Sequence, residues 1–296
     1  MSTFSVDHDT TLVAFVAAAM PAMKKSSLKD RLRDGAVLVN GQPQTKATYA
    51  LRAGDVVELR GPRPSPVNAG PGKAAPRSAT RVVVLYDDAD LVIIDKPSGL
   101  LTVAAEGRRE ETALSVTATQ LQTGRTPPRL WPCHRLDKGT SGVLALAKSR
   151  AAQDAVFFLW DEASKRYVAV VDGVMRDDEG TIDAALYENP QTLSVRVSTQ
   201  PNAKPARTHF RVLARGQGRT LVELAPETGR KHQIRVHLLH IGHAIVGDER
   251  YGDGSKRQRL CLHARSLSLV HPTTGARLSC EAPVPSLFFA LVSNRS

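Results

Sequence analysis

Residues 134 to 142 read His134-Arg135-Leu136-Asp137-Lys138-Gly139-Thr140-Ser141-Gly142 and run directly into the apolar stretch Val143-Leu144-Ala145-Leu146-Ala147. An arginine and an aspartate two positions apart, bordered by glycines and leading into a buried strand, set one carboxylate on a loop at a sheet edge. Loops held by a rigid scaffold are where chemistry usually sits. A carboxylate there can act as a nucleophile or stabilise developing positive charge. The plainer alternative is a loop-capping aspartate beside Gly139 and Thr140. Two further segments concentrate reactive types. One is Lys165-Arg166-Tyr167, ahead of Val168-Ala169-Val170-Val171 and Asp172-Gly173. The other runs Thr228-Gly229-Arg230-Lys231-His232-Gln233-Ile234-Arg235-Val236-His237, with Gly247-Asp248 shortly after.

The elements that must position these groups are legible in outline. From Arg81 onward, Val82-Val83-Val84-Leu85 and Leu91-Val92-Ile93-Ile94 read as strands, the second followed by Lys96-Pro97-Ser98-Gly99. Residues 112–122 and 150–163 read as helices, and Tyr167 to Val171 alternates as a strand. Short strands with few helices, lacking regular strand-helix alternation, predict an α+β fold over a doubly wound one. Earlier in the chain, Asp9, Thr10 and Thr11 offer caps for a first helix with apolar residues from Leu12 to Met20. Ser26 or Ser27 caps a second helix through Leu28 and Leu32, which Gly35 stops. Val37-Leu38-Val39 is then a strand, Asn40-Gly41 a tight turn and Val56 to Leu59 another strand. Residues 61–80 hold many prolines and no hydrophobic period, the pattern of a linker.

The 296 residues suffice for one large domain or two. Lys plus Arg number 40 against 29 Asp plus Glu, a net charge of +11. Such an excess predicts a polyanionic partner, most simply nucleic acid, because charge steers encounter and neutralises phosphates. The three cysteines, Cys133, Cys261 and Cys280, are far apart and form no C-x-x-C pair. They argue for a reducing compartment and against a disulfide framework. No apolar run reaches membrane-spanning length, so the expectation is a soluble, cytoplasmic protein without membrane partners.

The three reactive segments, in their order along the chain, resemble the motifs of the RluA-type pseudouridine synthases. Lys96-Pro97-Ser98-Gly99, Leu262-His263-Ala264 and His271-Pro272 also look like family segments, so the resemblance covers roughly residues 81–290. The N-terminal pair of short helices, crowded with Lys24, Lys25, Lys29, Arg31 and Arg33 and followed by Val37-Leu38-Val39-Asn40-Gly41, resembles an S-four-type (αL) RNA-binding domain. The resemblance implies a catalytic domain with a mixed, largely antiparallel central sheet over residues 81–296. It also implies a small RNA-binding domain over 1–60, with 61–80 as a Pro/Gly-rich linker.

The function it implies is isomerisation of uridine to pseudouridine in structured RNA, ribosomal RNA first and transfer RNA second. The bond joining uracil to ribose breaks, the base turns, and it rejoins through a ring carbon. The resemblance makes Asp137 the catalytic carboxylate and Tyr167 the residue that stacks on uracil and helps remove a ring proton. It also calls for a basic residue to keep a buried carboxylate charged. Arg235 is assigned that role and Arg230 is its reserve, since a guanidinium stays protonated and can bind a carboxylate bidentately. Arg135 matches the residue that fills the space left by a flipped base. His134, Arg230, Lys231 and the N-terminal basic residues are expected on the RNA side. His134 has a structural alternative as well.

Other readings compete. His237, His240 and His243 invite a metal site, but Gly242 interrupts the helix and no H-E-x-x-H pattern occurs. An aspartyl-phosphate reading of Asp137 lacks the second carboxylate two residues on, where Gly139 stands; in the resembled family that position is more usually Asp. No G-x-x-x-x-G-K-[ST], G-x-G-x-x-G or nucleophile-elbow pattern supports a nucleotide cofactor. No metal or cofactor is expected, and a monomer is the default state. A non-catalytic RNA-binding or ribosome-assembly factor would share the charge but leave the three motifs unexplained.

Overall fold

The computed structural model describes residues 2–20, 28, 31–32, 35–59, 80–105, 108, 110–252 and 258–293. The expected linker lies almost wholly outside this set, as do Lys24, Lys25, Lys29 and Arg33.

The N-terminal unit is built on a four-stranded sheet, β1 (Ser2–Ser5), β3 (Val37–Val39), β4 (Gln42–Gln44) and β6 (Val56–Leu59), in the order β1-β6-β3-β4. A two-stranded ribbon of β2 (Thr10–Thr11) and β5 (Ala50–Leu51) stands beside it. Thr11 caps α1 (Leu12–Ala19) by accepting from the Ala14 N–H. The Asn40-Gly41 turn has positive φ at both residues, 50° and 78°, which matches the twist of a two-residue hairpin. Val37, Val39, Leu12, Val16, Leu28, Leu32 and Leu59 share one apolar core.

The second unit is a ten-stranded sheet. Its strands are β7 (Val83–Asp87), β8 (Leu91–Lys96), β9 (Trp131–Pro132), β10 (Ser141–Ala147), β11 (Ser164–Asp172), β12 (Glu179–Asp183), β15 (Arg207–Gly216), β16 (Arg219–Pro226), β17 (Leu262–Val270) and β18 (Arg277–Glu281). The order is β12-β15-β16-β11-β17-β10-β8-β7, with β18 on β17 and β9 on β10. A separate hairpin, β13 (Leu186–Glu188) with β14 (Val195–Val197), lies beside it. The fold is α+β with a mixed sheet; β10 and β17 pair in parallel, while its other described pairings are antiparallel.

The middle of this sheet is covered on both sides, which is why all seven residues of β10 are buried. Leu144 and Leu146 pack with Val116 of α2 (Ala113–Gln120), whereas Val143, Ala145 and Ala147 pack with Ala152 and Val156 of α3 (Arg150–Phe158). Alternate residues of a strand face opposite sides. The helix expected over 112–122 is α2, and that over 150–163 is α3 continued by a 3-10 turn at Trp160–Glu162. At Gly142, where the Asp137 loop enters β10, a Cβ would come within 2.2 Å of the Ala264 carbonyl oxygen. Its φ is +110°, so both the contact and the backbone require glycine there.

Arg31 departs from its expected place on an RNA-facing surface. It is 4% exposed and donates to the Phe157 and Phe158 carbonyls at 3.5 and 3.4 Å, with its guanidinium 4.9 Å from the Phe158 ring centre. The carbonyls at the end of α3 and an aromatic face together draw a cation inward. Arg31 therefore holds the N-terminal unit against the second one.

Candidate active site

Asp137 sits on the loop between β9 and β10, and the backbone around it is bound to the segment after β8. Ser98 Oγ donates to the Gly139 carbonyl at 2.7 Å, and the Gly99 N–H donates to the Lys138 carbonyl at 2.8 Å. Thr102 Oγ1 donates to the Leu136 carbonyl and accepts from the Leu136 N–H, at 2.8 and 3.1 Å. Lys96, fully buried, donates from Nζ to the carbonyls of Pro97, Leu100 and Lys138 at 3.0, 2.7 and 3.3 Å. Burial, then the charge of Arg259, lowers its pKa to about 8. Gly139 keeps an ordinary negative φ region and serves a close approach instead: a Cβ there would lie 3.1 Å from Leu260 Cβ.

The opposite wall comes from α4 (Gln233–His240) and the turn after Gly247. Gln233 is buried and organises the approach to the helix. Its Oε1 accepts from Thr228 Oγ1 and the Arg230 N–H, and its Nε2 donates to the Arg207 carbonyl and Thr208 Oγ1. Two residues on, Arg235 reaches two carboxylates. Nε and Nη2 donate to Asp248 Oδ2 and Oδ1 at 2.7 and 2.8 Å, while Nη1 donates to Asp137 Oδ2 at 2.8 Å. The Asp248 side chain is 0% exposed and that of Asp137 35%. Asp248 Oδ1 also accepts from the Arg250 and Tyr251 N–H groups, both at 3.0 Å. Burial works against both charges, but the hydrogen bonds and mutual attraction outweigh it. Arg235 is pushed above its ordinary value and Asp248 below its own.

Tyr167 lines the same cleft, which encloses about 1090 Å³ between the two walls. The register of β11 shifts between Arg166 and Tyr167, and such an irregularity re-aims the side chain that follows it. Burial, then the nearby Asp137 charge, raises the Tyr167 phenol above its ordinary range. It therefore enters the cleft as a protonated ring with an O–H to give. Arg135 is exposed on the cleft lining.

The remaining sequence-predicted residues divide. Arg230 turns away from Asp137 and donates from Nε to the Pro205 carbonyl at 3.1 Å. Lys231 pairs with Glu188 at 2.5 Å on the cleft rim. His134 differs from an RNA contact: its Nε2 accepts from the Ala145 N–H at 3.1 Å, and its ring centre lies 5.3 Å from that of Trp160. Burial, then Lys165, pulls it down to about 3, so it is neutral and braces β10. His237 has both ring nitrogens engaged, by Thr208 Oγ1 and the Ala184 carbonyl. The roles of Lys96, Thr102, His232, Asp248 and Tyr251 escaped sequence reading. Lys96, His232 and Asp248 stood within the quoted segments, but nothing in the sequence gave their partners; Thr102 and Tyr251 stood outside them.

A model of the RNA pseudouridylate synthase family matches residues 90–240. The chain belongs to the RluA-type pseudouridine synthase family. It is an RNA pseudouridine synthase, an isomerase. The chain is 34% identical over 290 residues to an uncharacterized RNA pseudouridine synthase, YlyB, of Bacillus subtilis strain 168, covering 95% of this chain and 92% of that one. A ribosomal large subunit pseudouridine synthase D from Nitrosomonas europaea is 40% identical over 221 residues, covering 71% of this chain and 64% of its own length. The synthase D of Escherichia coli K12 is 31% identical over 294 residues, covering 94% and 88%. Among solved structures, human RNA pseudouridylate synthase domain containing 1 superposes with a TM-score of 0.59 at 28% identity, covering 71% of this chain and 86% of that one. The family relation fits the α+β sheet and the cleft described above.

Proposed function

We propose that this synthase converts a uridine of large-subunit ribosomal RNA to pseudouridine with Asp137 as its catalytic carboxylate. The observation that carries this reading is the shared guanidinium: Arg235 spends two donors on the buried Asp248 and one on the accessible Asp137. Asp248 thus anchors the cation, and the cation presents Asp137 to the cleft. Asp137 attacks C1′ of the nucleoside or stabilises positive charge developing there as the N1–C1′ bond breaks. The released uracil turns against the Tyr167 ring and C5 bonds to C1′, any Asp137–C1′ bond breaking as it does so to return the carboxylate; C5 then loses its proton and N1 gains one. Substrate and product are isomers, so no atom or electron is gained or lost.

The uridine must leave its stack to enter, at a cost of about a few kcal/mol. Arg135 at the cleft mouth suits the vacated space, since a guanidinium both stacks and binds phosphate. The N-terminal unit, residues 1–60, acts as the RNA-binding domain, 61–80 as the linker and 81–296 as the catalytic domain. Ribosomal RNA is favoured because relatives are named for the large subunit; transfer RNA is the second substrate class. The setting of such RNA supports a cytoplasmic location. Among the described residues no helix is long and apolar enough to cross a membrane. One chain supplies both walls of the cleft, which supports action as a monomer.

The test maps pseudouridines in ribosomal and transfer RNA from cells with the wild-type protein, with Asp137→Asn and with neither. The expected result is a ribosomal site lost in both altered strains, while purified Asp137→Asn still binds RNA. Full modification by Asp137→Asn would refute the assignment.

A further inference from the structure

We propose that His232 is a positioning residue for Asp137, held by Tyr251 with its Nε2 proton turned toward the carboxylate. The inference rests on the catalytic role given to Asp137 above and adds to it a second residue of the Arg235 wall that faces the same carboxylate oxygen.

His232 precedes α4 with φ 54° and ψ 19°, the left-handed region that side chains with a Cβ seldom occupy. Such a backbone persists where its surroundings over-determine it, and it clusters at functional sites. The surroundings here are specific. Tyr251 Oη lies 2.7 Å from His232 Nδ1, and the two rings meet edge to face at 5.5 Å between centres. The Val195 N–H donates to the same Oη at 3.3 Å. Among the described residues no other acceptor stands at that hydroxyl, so Tyr251 gives its proton to Nδ1. A neutral imidazole then carries its hydrogen on Nε2.

That nitrogen lies 3.8 Å from Asp137 Oδ2, the same oxygen that Arg235 Nη1 holds at 2.8 Å. Catalytic hydrogen bonds are often long in an unliganded site and tighten when substrate closes it. Burial lowers the His232 pKa; the Asp137 charge opposes this, and Arg235, Arg250 and Lys231 reinforce it. The ring is therefore a neutral donor rather than a second cation on the carboxylate. Tyr251 is fixed in turn, its N–H on Asp248 Oδ1 and its ring 4.9 Å from the Arg235 guanidinium carbon. Asp248, Arg235, Asp137, His232 and Tyr251 thus close a circuit. With Oδ2 held by Arg235 at 2.8 Å and faced by His232 at 3.8 Å, Oδ1 is the oxygen left for C1′ of the nucleoside.

Two measurements test this. The first is 15N NMR of the full chain labelled at histidine. Wild type should show a pyridine-type Nδ1 and a pyrrole-type Nε2 at His232, and Tyr251→Phe should lose that single tautomer. A proton on Nδ1 in wild type, or an unchanged signature in Tyr251→Phe, overturns the proposal. The second is single-turnover conversion of a large-subunit ribosomal RNA transcript, or of a transfer RNA transcript if mapping puts the uridine there. His232→Ala should slow conversion by roughly 10- to 100-fold, the scale of a misplaced reacting group, with RNA affinity unchanged. His232→Gln, which keeps an N–H at similar reach, should recover most of the rate. His232→Ala at the wild-type rate, or His232→Gln as slow as His232→Ala, refutes it. Asp137→Asn run in parallel separates the two ideas. An active Asp137→Asn removes the catalytic assignment itself, whereas an inert one beside a fully active His232→Ala removes the positioning role alone.

Discussion

The two walls of the cleft meet on one guanidinium but are built by different physics. The wall that carries Asp137 is held by hydrogen bonds between its backbone and the 96–102 segment, and it leaves the acid 35% exposed. The wall that carries Asp248 is held by charge. That carboxylate is fully covered, accepts from two backbone N–H groups and takes both remaining forks of Arg235. The difference assigns the two acids. One is saturated and serves the fold, while the other keeps an accessible edge for a substrate atom.

The largest effect that could break this contrast is on stability. Asp248→Asn removes the buried charge that two of the three Arg235 donor atoms meet and should cost about 3–5 kcal/mol in urea unfolding. Asp137→Asn, at a partly solvated pair, should cost under about 1 kcal/mol while abolishing turnover. Equal costs at the two positions would erase the distinction. The pH dependence sharpens it. Asp248 is lowered from the ordinary 3.8 in the folded chain, so the stability it contributes is present above that value. It is lost as pH falls through the depressed folded value. Below pH 3.8 the gap between wild type and Asp248→Asn should therefore narrow, and a gap that widens in acid would contradict the ion pair.

A smaller effect probes the backbone-held wall. Lys96→Met leaves three carbonyls without their donor and should cost roughly 1–3 kcal/mol. Because Lys96 is lowered to about 8 from 10.5, the unfolded chain holds that proton more tightly. Stability should rise as pH climbs from about 8 to 10.5 and be lost again as pH falls back through 8. Unfolding curves on either side of that window should show this slope in wild type and not in Lys96→Met. The smallest effect is at the mouth. Arg135→Ala should weaken RNA binding modestly and lower the slope of log affinity against log salt by about 0.7 if one phosphate contact is lost. A slope unchanged in Arg135→Ala would place its contact on a base.

Much of the fold could be read in advance because local signals were strong. The Thr11 cap, the Asn40-Gly41 turn, the continuous apolar run of β10 and the helix at 113–120 each follow from residue type and period. Residues 61–80 showed no period, and all of them but Thr80 lie outside the described set.

The chemistry was legible in kind, since Asp137, Tyr167 and Arg235 stand in short ordered motifs, and they line one cleft. Their partners were not legible. Arg230 and Arg235 are alike in type and differ only in where the fold aims them, one from the loop before α4 to the Pro205 carbonyl and one from the helix to two carboxylates. Arg31 looked like any residue of a basic helix until the end of α3 was packed against it. His134 became a brace only when its nitrogen met the Ala145 N–H.

The sequence by itself determined the elements, the family and the reactive residue types, because those depend on period, capping and motif order along the chain. Only the tertiary structure decided which charge meets which, and which acid stays open. Residues 137, 232, 235, 248 and 251 converge through a sheet and a helix, and the strength of a charged contact depends on distance and burial in space.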